Sequence, residues 1–244
     1  MRHALAAILA LGVVYGPARV AADPFGAELG FATEYVFRGV SRSSEAVAAQ
    51  GGAAYRPQWG GYIGVWGSSV NFPERGSGED GPPAELRPYL GYAGQVDSGW
   101  GWDARLQGFN YPDDDGLRDD YYELVLSGSY RPVELSVAYT DDALGQGGTG
   151  WHTAVELTGQ PAKPTEVFAR AGYSRFEETV FGADAPEQYA DWQFGIRHRF
   201  AGFRFLYAMS DTDSDGHTLF GSTRANQRYW IRITRPFGGG LAFP

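Results

Sequence analysis

The stretch FGAELGFATEYVFRGVS, from Phe25 to Ser41, decides the fold class. Its odd positions are almost all apolar or aromatic, whereas its even positions are mostly small or charged. Because successive side chains of a β-strand point to opposite faces, this alternation predicts one apolar and one polar face. The run exceeds the usual globular strand of about 5–6 residues and suffices for a tilted membrane-crossing strand of about 9–11 residues. It therefore predicts a transmembrane β-strand.

The first 22 residues have the pattern of a secretory signal peptide. Arg2 and His3 precede an apolar segment, Ala4 to Val14, and the small residues Ala21 and Ala22 suit cleavage after Ala22. The apolar segment is too short to span as a helix, which needs about 20 residues. We expect residues 1–22 to be removed and residues 23–244 to form a single outer-membrane barrel domain.

Eleven further segments repeat the alternation. They are Ala46–Gln58, Tyr62–Phe72, Ala84–Val96, Trp100–Tyr111, Tyr121–Arg131, Val133–Thr140, Trp151–Gln160, Thr165–Arg175, Ala190–Phe200, Phe203–Met209 and Arg228–Phe237. Short and long connections alternate, apart from the brief Arg42 to Glu45 link after the first segment. Bacterial outer-membrane barrels have the same arrangement of short periplasmic turns and long external loops. The expected fold is an all-β, transmembrane, antiparallel, up-and-down barrel of about 12 strands.

The composition restricts the partners of the protein. The chain has no cysteine, so disulfides and thiolate metal sites are excluded. The net charge of −9 argues against nucleic acid as a partner. The long loops are acidic, with Asp113-Asp114-Asp115 the densest run, and these carboxylates are either solvated or bridged by divalent cations at the lipopolysaccharide surface. No cofactor motif is present, and we expect no cofactor.

Two segments resemble a known family. Tyr35 to Ser41, YVFRGVS, is similar to the YVFRG-x-S signature of the TorF-type porins of proteobacteria, and Gly61 to Val70 resembles their second conserved block. Glu85 to Tyr92 resembles their third block more loosely, with Arg87 where the family tends to carry an acid. The resemblance implies an outer-membrane channel and assigns no functional residues.

The polar face of the predicted strands defines the expected pore lining. Barrels of about 8 strands are filled by side chains and those of about 16–18 strands are open channels, so twelve strands predict a narrow pore. The residues expected to line it are Arg38, Arg56, Arg87, Arg105, Arg170, Arg197, Arg199, Arg204, Arg232, Glu34, Asp103, Glu123 and Glu156. Rings of charge set selectivity in pores, whereas Arg–carboxylate ladders only cross-link strands, and the sequence leaves both interpretations open.

The predicted function is passive diffusion of small hydrophilic solutes across the outer membrane of a Gram-negative bacterium. The expected partners are outer-membrane lipid, lipopolysaccharide and, during biogenesis, the barrel assembly machinery; a homo-oligomer is left open. One alternative is a closed structural barrel whose loops bind a partner. Another is a barrel lipid hydrolase, which needs a nucleophilic Ser with a His base. His152, His198 and His217 are the candidate bases, but the His-x-Ser pair of lipid A deacylases is missing, so we expect no enzyme activity.

Overall fold

Twelve antiparallel strands form a closed barrel in the computed structural model of the protein, which describes residues 23–71, 83–96, 99–112 and 120–239. Each barrel strand pairs with the next barrel strand along the chain, and pairing of the first strand with the last closes the ring. The predicted twelve-strand up-and-down barrel is confirmed. Within these residues, no helix has both the length and the apolar character needed to cross a membrane.

The barrel strands are β1 (Phe25–Ala32), β4 (Ala48–Tyr55), β5 (Gly61–Ser69), β6 (Ala84–Gln95), β7 (Gly101–Phe109), β8 (Tyr121–Tyr130), β9 (Val133–Thr140), β10 (Gly150–Ala162), β11 (Thr165–Phe176), β12 (Gln188–Phe200), β13 (Phe203–Thr212) and β14 (Arg228–Gly238). Two short strands, β2 (Val36–Phe37) and β3 (Val40–Ser41), pair only with each other. Helices α1 (Ser214–Phe220) and α2 (Ser222–Ala225) connect β13 to β14. We call the end of the barrel with the short connections the turn end and the opposite end the loop end.

The outward face of the barrel is apolar. On β8, Leu124 and Leu126 are exposed between Tyr122, near the loop end, and Tyr130, near the turn end. Stacked rings continue the aromatic positions around the turn end, as in Trp100 against Tyr130 at 5.0 Å between ring centroids. An apolar band between two aromatic girdles is the surface that a membrane-spanning barrel presents to lipid.

The expected first strand, Phe25 to Ser41, is wrong beyond Ala32. Residues 34–43 leave the barrel wall and turn into the lumen, and we call this segment the inward hairpin. Arg38 and Gly39 form its two-residue turn, with φ of 51° and 77°, between the paired residues Phe37 and Val40. Positive φ at both central positions is the geometry of a type I′ hairpin turn. The hairpin strands alternate as the barrel strands do, so the sequence pattern continues unbroken across the turn.

Several expectations lie outside the described residues. They are the signal peptide at residues 1–22 and the loop carboxylates Glu74, Glu79, Asp80, Asp113, Asp114 and Asp115. The described part of the loop end is compact. Residues of the β11–β12 and β13–β14 connections, including Phe181, Leu219 and Phe220, pack against Val40 of the inward hairpin and Tyr189 of β12.

Candidate pore and its constriction

The inward hairpin bridges opposite walls of the barrel. Its stem is fastened to β14 by an ion pair between Glu34 and Arg228. Near the start of the hairpin, Tyr35 donates a hydrogen bond to Glu85 of β6 at 2.9 Å. The turn of the hairpin reaches β12, which lies across the ring from β6, where the Tyr189 hydroxyl donates to the Arg38 carbonyl oxygen at 3.1 Å. The hairpin therefore crosses the lumen in the loop half of the barrel.

Glu85 is the centre of a buried cluster that holds Tyr35 and Arg42 of the inward hairpin. Its carboxylate is fully buried and pairs with both Arg42 and Arg87, the latter at 2.7 Å. Tyr111 donates to the same carboxylate at 3.1 Å, and Tyr35 accepts a hydrogen bond from Arg87. Burial raises the pKa of the Tyr35 hydroxyl, which therefore remains protonated and donates to Glu85. A buried carboxylate is stable when its charge is paired and its lone pairs accept hydrogen bonds, as here.

The turn of the hairpin is held by a second ion pair. Both terminal nitrogens of Arg38 donate to the two oxygens of Glu123 at 2.8 Å, a bidentate arrangement that fixes direction as well as distance. Burial disfavours the charges of Arg38 and Arg42, but their carboxylate partners outweigh it and raise the pKa of both guanidinium groups above the ordinary value. Both arginines thus stay charged at any physiological pH.

Exposure divides the lumen into two halves. In the loop half, the side chains of Glu85, Arg87 and Glu123 are 0%, 2% and 4% exposed. Nearer the turn end, the side chains of Arg197 and Arg204 are 39% and 31% exposed. Water therefore reaches charged side chains in the turn half, whereas the hairpin excludes it from the ion pairs of the loop half.

Most charged side chains of the turn half are paired across strands. Arg197 pairs with Glu156 at 2.8 Å and with Glu166 at 3.0 Å. Arg204 lies 3.7 Å from Glu28. In the loop half, the buried Asp191 of β12 lies 3.6 Å from Arg170. These pairs form Arg–carboxylate ladders, one of the two interpretations that the sequence allows for the charged lumen residues.

Four predicted pore-lining arginines stand outside these ladders, and Arg199, which is exposed at the turn end, is one of them. Arg56, Arg105 and Arg232 form no ion pair or hydrogen bond with the described residues, although Arg56 stacks over the Tyr62 ring at 5.6 Å. Arg56 follows β4, and the other two lie on β7 and β14. Arg105 and Arg232 are partly buried, and Arg232 lies close enough to Glu28 to act on it electrostatically.

The structure places the remaining predicted residues as follows. Asp103 faces the lumen and accepts a hydrogen bond from the Tyr62 hydroxyl at 2.6 Å. Arg199 is exposed at the turn end, opposite Arg204 in the strand register. Arg38 and Glu34 belong to the inward hairpin and not to the barrel wall, because the wall ends at Ala32.

Sequence reasoning missed Arg42 as a lumen residue. The sequence pattern places Arg42 in the short connection after the first strand, yet it lies in the Glu85 cluster, with Tyr111 accepting its hydrogen bond at 2.8 Å. The sequence feature that indicates a hairpin here is the Arg38-Gly39 dipeptide between β-forming residues. This dipeptide is a weaker hairpin signature than Asn-Gly or Asp-Gly.

His152 lies in a cluster that has the residue types of a hydrolase triad in a different arrangement. Its Nδ1 is 2.8 Å from Ser174 Oγ and 3.8 Å from Asp191, while its Nε2 faces Arg170 at 3.1 Å. A Ser-His-Asp triad places the serine and the carboxylate on different ring nitrogens. Ser174 is also only 1% exposed, so its hydroxyl is out of reach of a substrate. The cluster cross-links β10, β11 and β12.

A cavity of about 600 Å³ remains at the loop end. One side is the inward hairpin, which contributes Phe37, Arg38 and Arg42, and the other side is the wall that includes Tyr121 and His152. We call it the loop-end cavity.

Comparison with solved structures shows the same fold. The KdgM porin superposes with a TM-score of 0.54 at 7% identity, covering 87% of this chain and 99% of that one. The NanC porin gives 0.54 at 10% identity, covering 89% and 100%. The KdgM porin in complex with disordered oligogalacturonate gives 0.53 at 7% identity, covering 87% and 99%. At such identities the likeness shows the fold, which is that of outer-membrane porins.

Sequence comparison identifies a family. No curated protein sequence matches the chain. The resemblance to TorF-type porins stays a prediction. Residues 19–237 match the model of a bacterial family of unknown function, Gcw_chp, and the chain belongs to this family.

Proposed function

We propose that the protein is an outer-membrane channel through which small hydrophilic solutes diffuse passively. The observation that carries the proposal is the contrast between the two faces of a closed twelve-strand barrel. Its outward face is a band of exposed apolar side chains, and its inward face holds charged side chains such as Arg197 and Arg204 in contact with water. A closed barrel with a wetted polar interior is the architecture of a diffusion channel.

In this proposal the lumen narrows from the turn half to the loop half. Solutes pass the Arg–carboxylate ladders and then the inward hairpin, where the loop-end cavity is the space left beside Arg38 and Arg42. Among the predicted pore-lining residues, those of the wall are proposed to face this path except Arg87 and Glu123, whose buried ion pairs hold the inward hairpin. Arg38 borders the path from the hairpin, and Glu34 fastens the hairpin to the wall. The path carries no enzymatic step and no cofactor.

The proposal includes a location and an orientation. A signal peptide at residues 1–22 directs the chain through the periplasm to the outer membrane of a Gram-negative bacterium, where the barrel assembly machinery inserts it. The turn end then faces the periplasm, and the loop end faces lipopolysaccharide.

Solute entry into proteoliposomes tests the proposal. Vesicles that contain the folded protein should swell in an isosmotic solution of a small neutral sugar such as arabinose, and vesicles without protein should not. A large dextran should give no swelling in either. If the barrel is folded, as shown by a heat-dependent shift in gel mobility, and arabinose still does not enter, the channel proposal is rejected.

A closed barrel that acts through its loops is the second candidate function. The observation that favours it is the dense packing of the inward hairpin, since Ser41 and Ser43 are 0% and 2% exposed. Exclusion of every solute by folded protein in the swelling assay would favour this candidate.

A further inference from the structure

The loop-end cavity has a mixed lining in which aromatic rings lie beside charged and polar side chains. Phe37, Phe176, Phe181, Tyr189 and Phe220 all line it, and aliphatic side chains such as Leu219 fill the spaces between them. Several of these rings contact each other, including Tyr189 and Phe220 at 5.3 Å between centroids. Ligand cavities of about 300–1,000 Å³ with a mostly apolar lining and few polar groups suit a small organic molecule. The cavity, at about 600 Å³, has this size, and its aromatic rings offer an apolar surface beside its charged groups.

The charges around the cavity are predominantly positive. Arg38, Arg42 and Arg224 line it, whereas Glu123 is the only carboxylate among the described residues of its lining. That carboxylate is already engaged at both oxygens by Arg38. Arg42 shares the Glu85 carboxylate with Arg87, so guanidinium groups still outnumber carboxylates here, and this excess favours an anion over a cation or a neutral molecule.

One polar group in the lining has no partner. The hydroxyl of Tyr121 is buried and forms no hydrogen bond within the described residues, and the residue is 2% exposed. Its ring is stacked on Phe109 at 4.5 Å, so packing fixes the direction of the hydroxyl. Two arginines, Arg42 and Arg38, and two carboxylates, Glu123 and Glu85, lie close enough to act on it electrostatically. A buried hydroxyl without a partner is unfavourable, and an acceptor bound in the cavity would satisfy it.

We infer that the loop-end cavity binds a small carboxylate that carries an aromatic ring. The ring packs among Phe37, Phe181 and Phe220, and the carboxylate accepts a hydrogen bond from Tyr121 in the field of the lining arginines. This inference goes beyond the proposed channel function, because it concerns binding alone and holds whether or not the bound molecule then crosses the membrane.

Calorimetric titration of the protein in lipid nanodiscs tests the inference, with empty nanodiscs as reference. Three probes share one ring and differ in charge: 3-phenylpropionate, 3-phenylpropan-1-ol and 3-phenylpropylamine. The carboxylate should bind most tightly and the ammonium compound most weakly, and added salt should weaken the carboxylate alone. Equal affinities for the three probes, or no binding of the carboxylate, would overturn the inference.

A matched pair of variants tests the role of the hydroxyl. Tyr121→Phe removes it while keeping the ring that stacks on Phe109, and should weaken carboxylate binding roughly ten-fold, as expected for a hydrogen bond to a charged group. Binding of the alcohol should change less. Tyr122→Phe makes the same change on the outward face and should leave both affinities unchanged. Equal effects of the two variants would reject the assignment to this cavity.

The outcomes separate this inference from the channel proposal. Carboxylate binding in a barrel that admits no solute supports the binding site and rejects the channel. Solute entry without carboxylate binding supports the channel and rejects the binding site.

Discussion

The buried carboxylate of Glu85 is one of the groups that hold the inward hairpin, beside the ion pairs Glu34–Arg228 and Arg38–Glu123. Glu85 balances Arg42 from the hairpin and Arg87 from its own strand, and its side chain is 0% exposed. This one negative charge compensates two guanidinium groups that would otherwise be unpaired in a low-dielectric interior. The residue is therefore structural, in contrast to the partly exposed acids of the turn half.

Replacing Glu85 by Gln should destabilise the protein strongly. The change keeps the shape of the side chain but leaves two buried arginines without their counter-ion, and removal of one partner from a buried pair costs about 3–5 kcal/mol. The free energy of unfolding in lipid vesicles, measured by denaturant titration, gives the effect. Glu166→Gln, at a partly exposed ion pair with Arg197, is the control and should lose less than about 1 kcal/mol. Similar losses for the two variants would contradict the role of the cluster.

The unpaired arginines of the lumen should influence ion selectivity. Arg105→Gln combined with Arg232→Gln removes two positive charges that form no ion pair with the described residues, so the reversal potential in a salt gradient should shift toward cations. Arg235→Gln, at an exposed residue that donates to the Ala201 carbonyl oxygen, should cause no shift. If both variants keep the wild-type reversal potential, the two arginines do not control permeation.

Alternation in the sequence predicted which way these side chains face, but not their partners. The period of two places Arg197 and Glu156 on the polar face of their strands, and the structure pairs the two side chains at 2.8 Å. Their contact joins β10 to β12 across β11, a relation that depends on strand register and side-chain rotamers. The same holds for Arg42 and Glu85, which meet only because the hairpin enters the lumen.

At the scale of elements, the inward hairpin is the departure from a simple up-and-down barrel. The twelve strand locations were predictable because each repeats the apolar-polar alternation over a membrane-spanning length. The end of β1 was not predictable in this way. Val36, Phe37 and Val40 keep β-strand character, so only backbone conformation distinguishes a continuing strand from a turn at Arg38-Gly39.

Gly39→Ala should loosen the hairpin. Gly39 has φ of 77°, and a Cβ there would overlap Thr212 and Asp191. The positive φ costs a residue with a Cβ about 1–2 kcal/mol, and the overlap adds about 1–3 kcal/mol. Denaturant titration should therefore show a loss of stability, and conductance should rise because the turn is displaced.

Gly147→Ala is the matched control for that variant. Gly147 has a similar φ of 74°, but a Cβ there would have nothing within 4 Å. It should show only the cost of the backbone conformation and no change in conductance. Equal losses for the two glycine variants would indicate that the turn of the hairpin does not press against the β12–β13 wall.

At the scale of the whole molecule, each barrel strand needs apolar side chains on its lipid-facing side and accepts polar or charged side chains on its lumen-facing side. Leu126 lies on the outward face of β8 midway between Tyr122 and Tyr130, whereas Ser127 faces the lumen. Leu126→Arg should destabilise the barrel in lipid vesicles by about 2–4 kcal/mol, the cost of a lipid-facing arginine near the bilayer midplane. Ser127→Arg should cost much less, as its charge enters a polar interior. Equal penalties in vesicle unfolding titrations would contradict the assignment of faces.

The central claim is that the barrel is a water-filled channel narrowed by the inward hairpin. Single-channel recording in planar bilayers tests it most directly, comparing the wild-type protein with a variant in which residues 35–41 are replaced by Gly and Ser. The account predicts discrete conductance steps for the wild type and larger steps for the variant, because the bridge between β6 and β12 is gone. Folded wild-type protein without steps, or steps of the same size in both proteins, would contradict it.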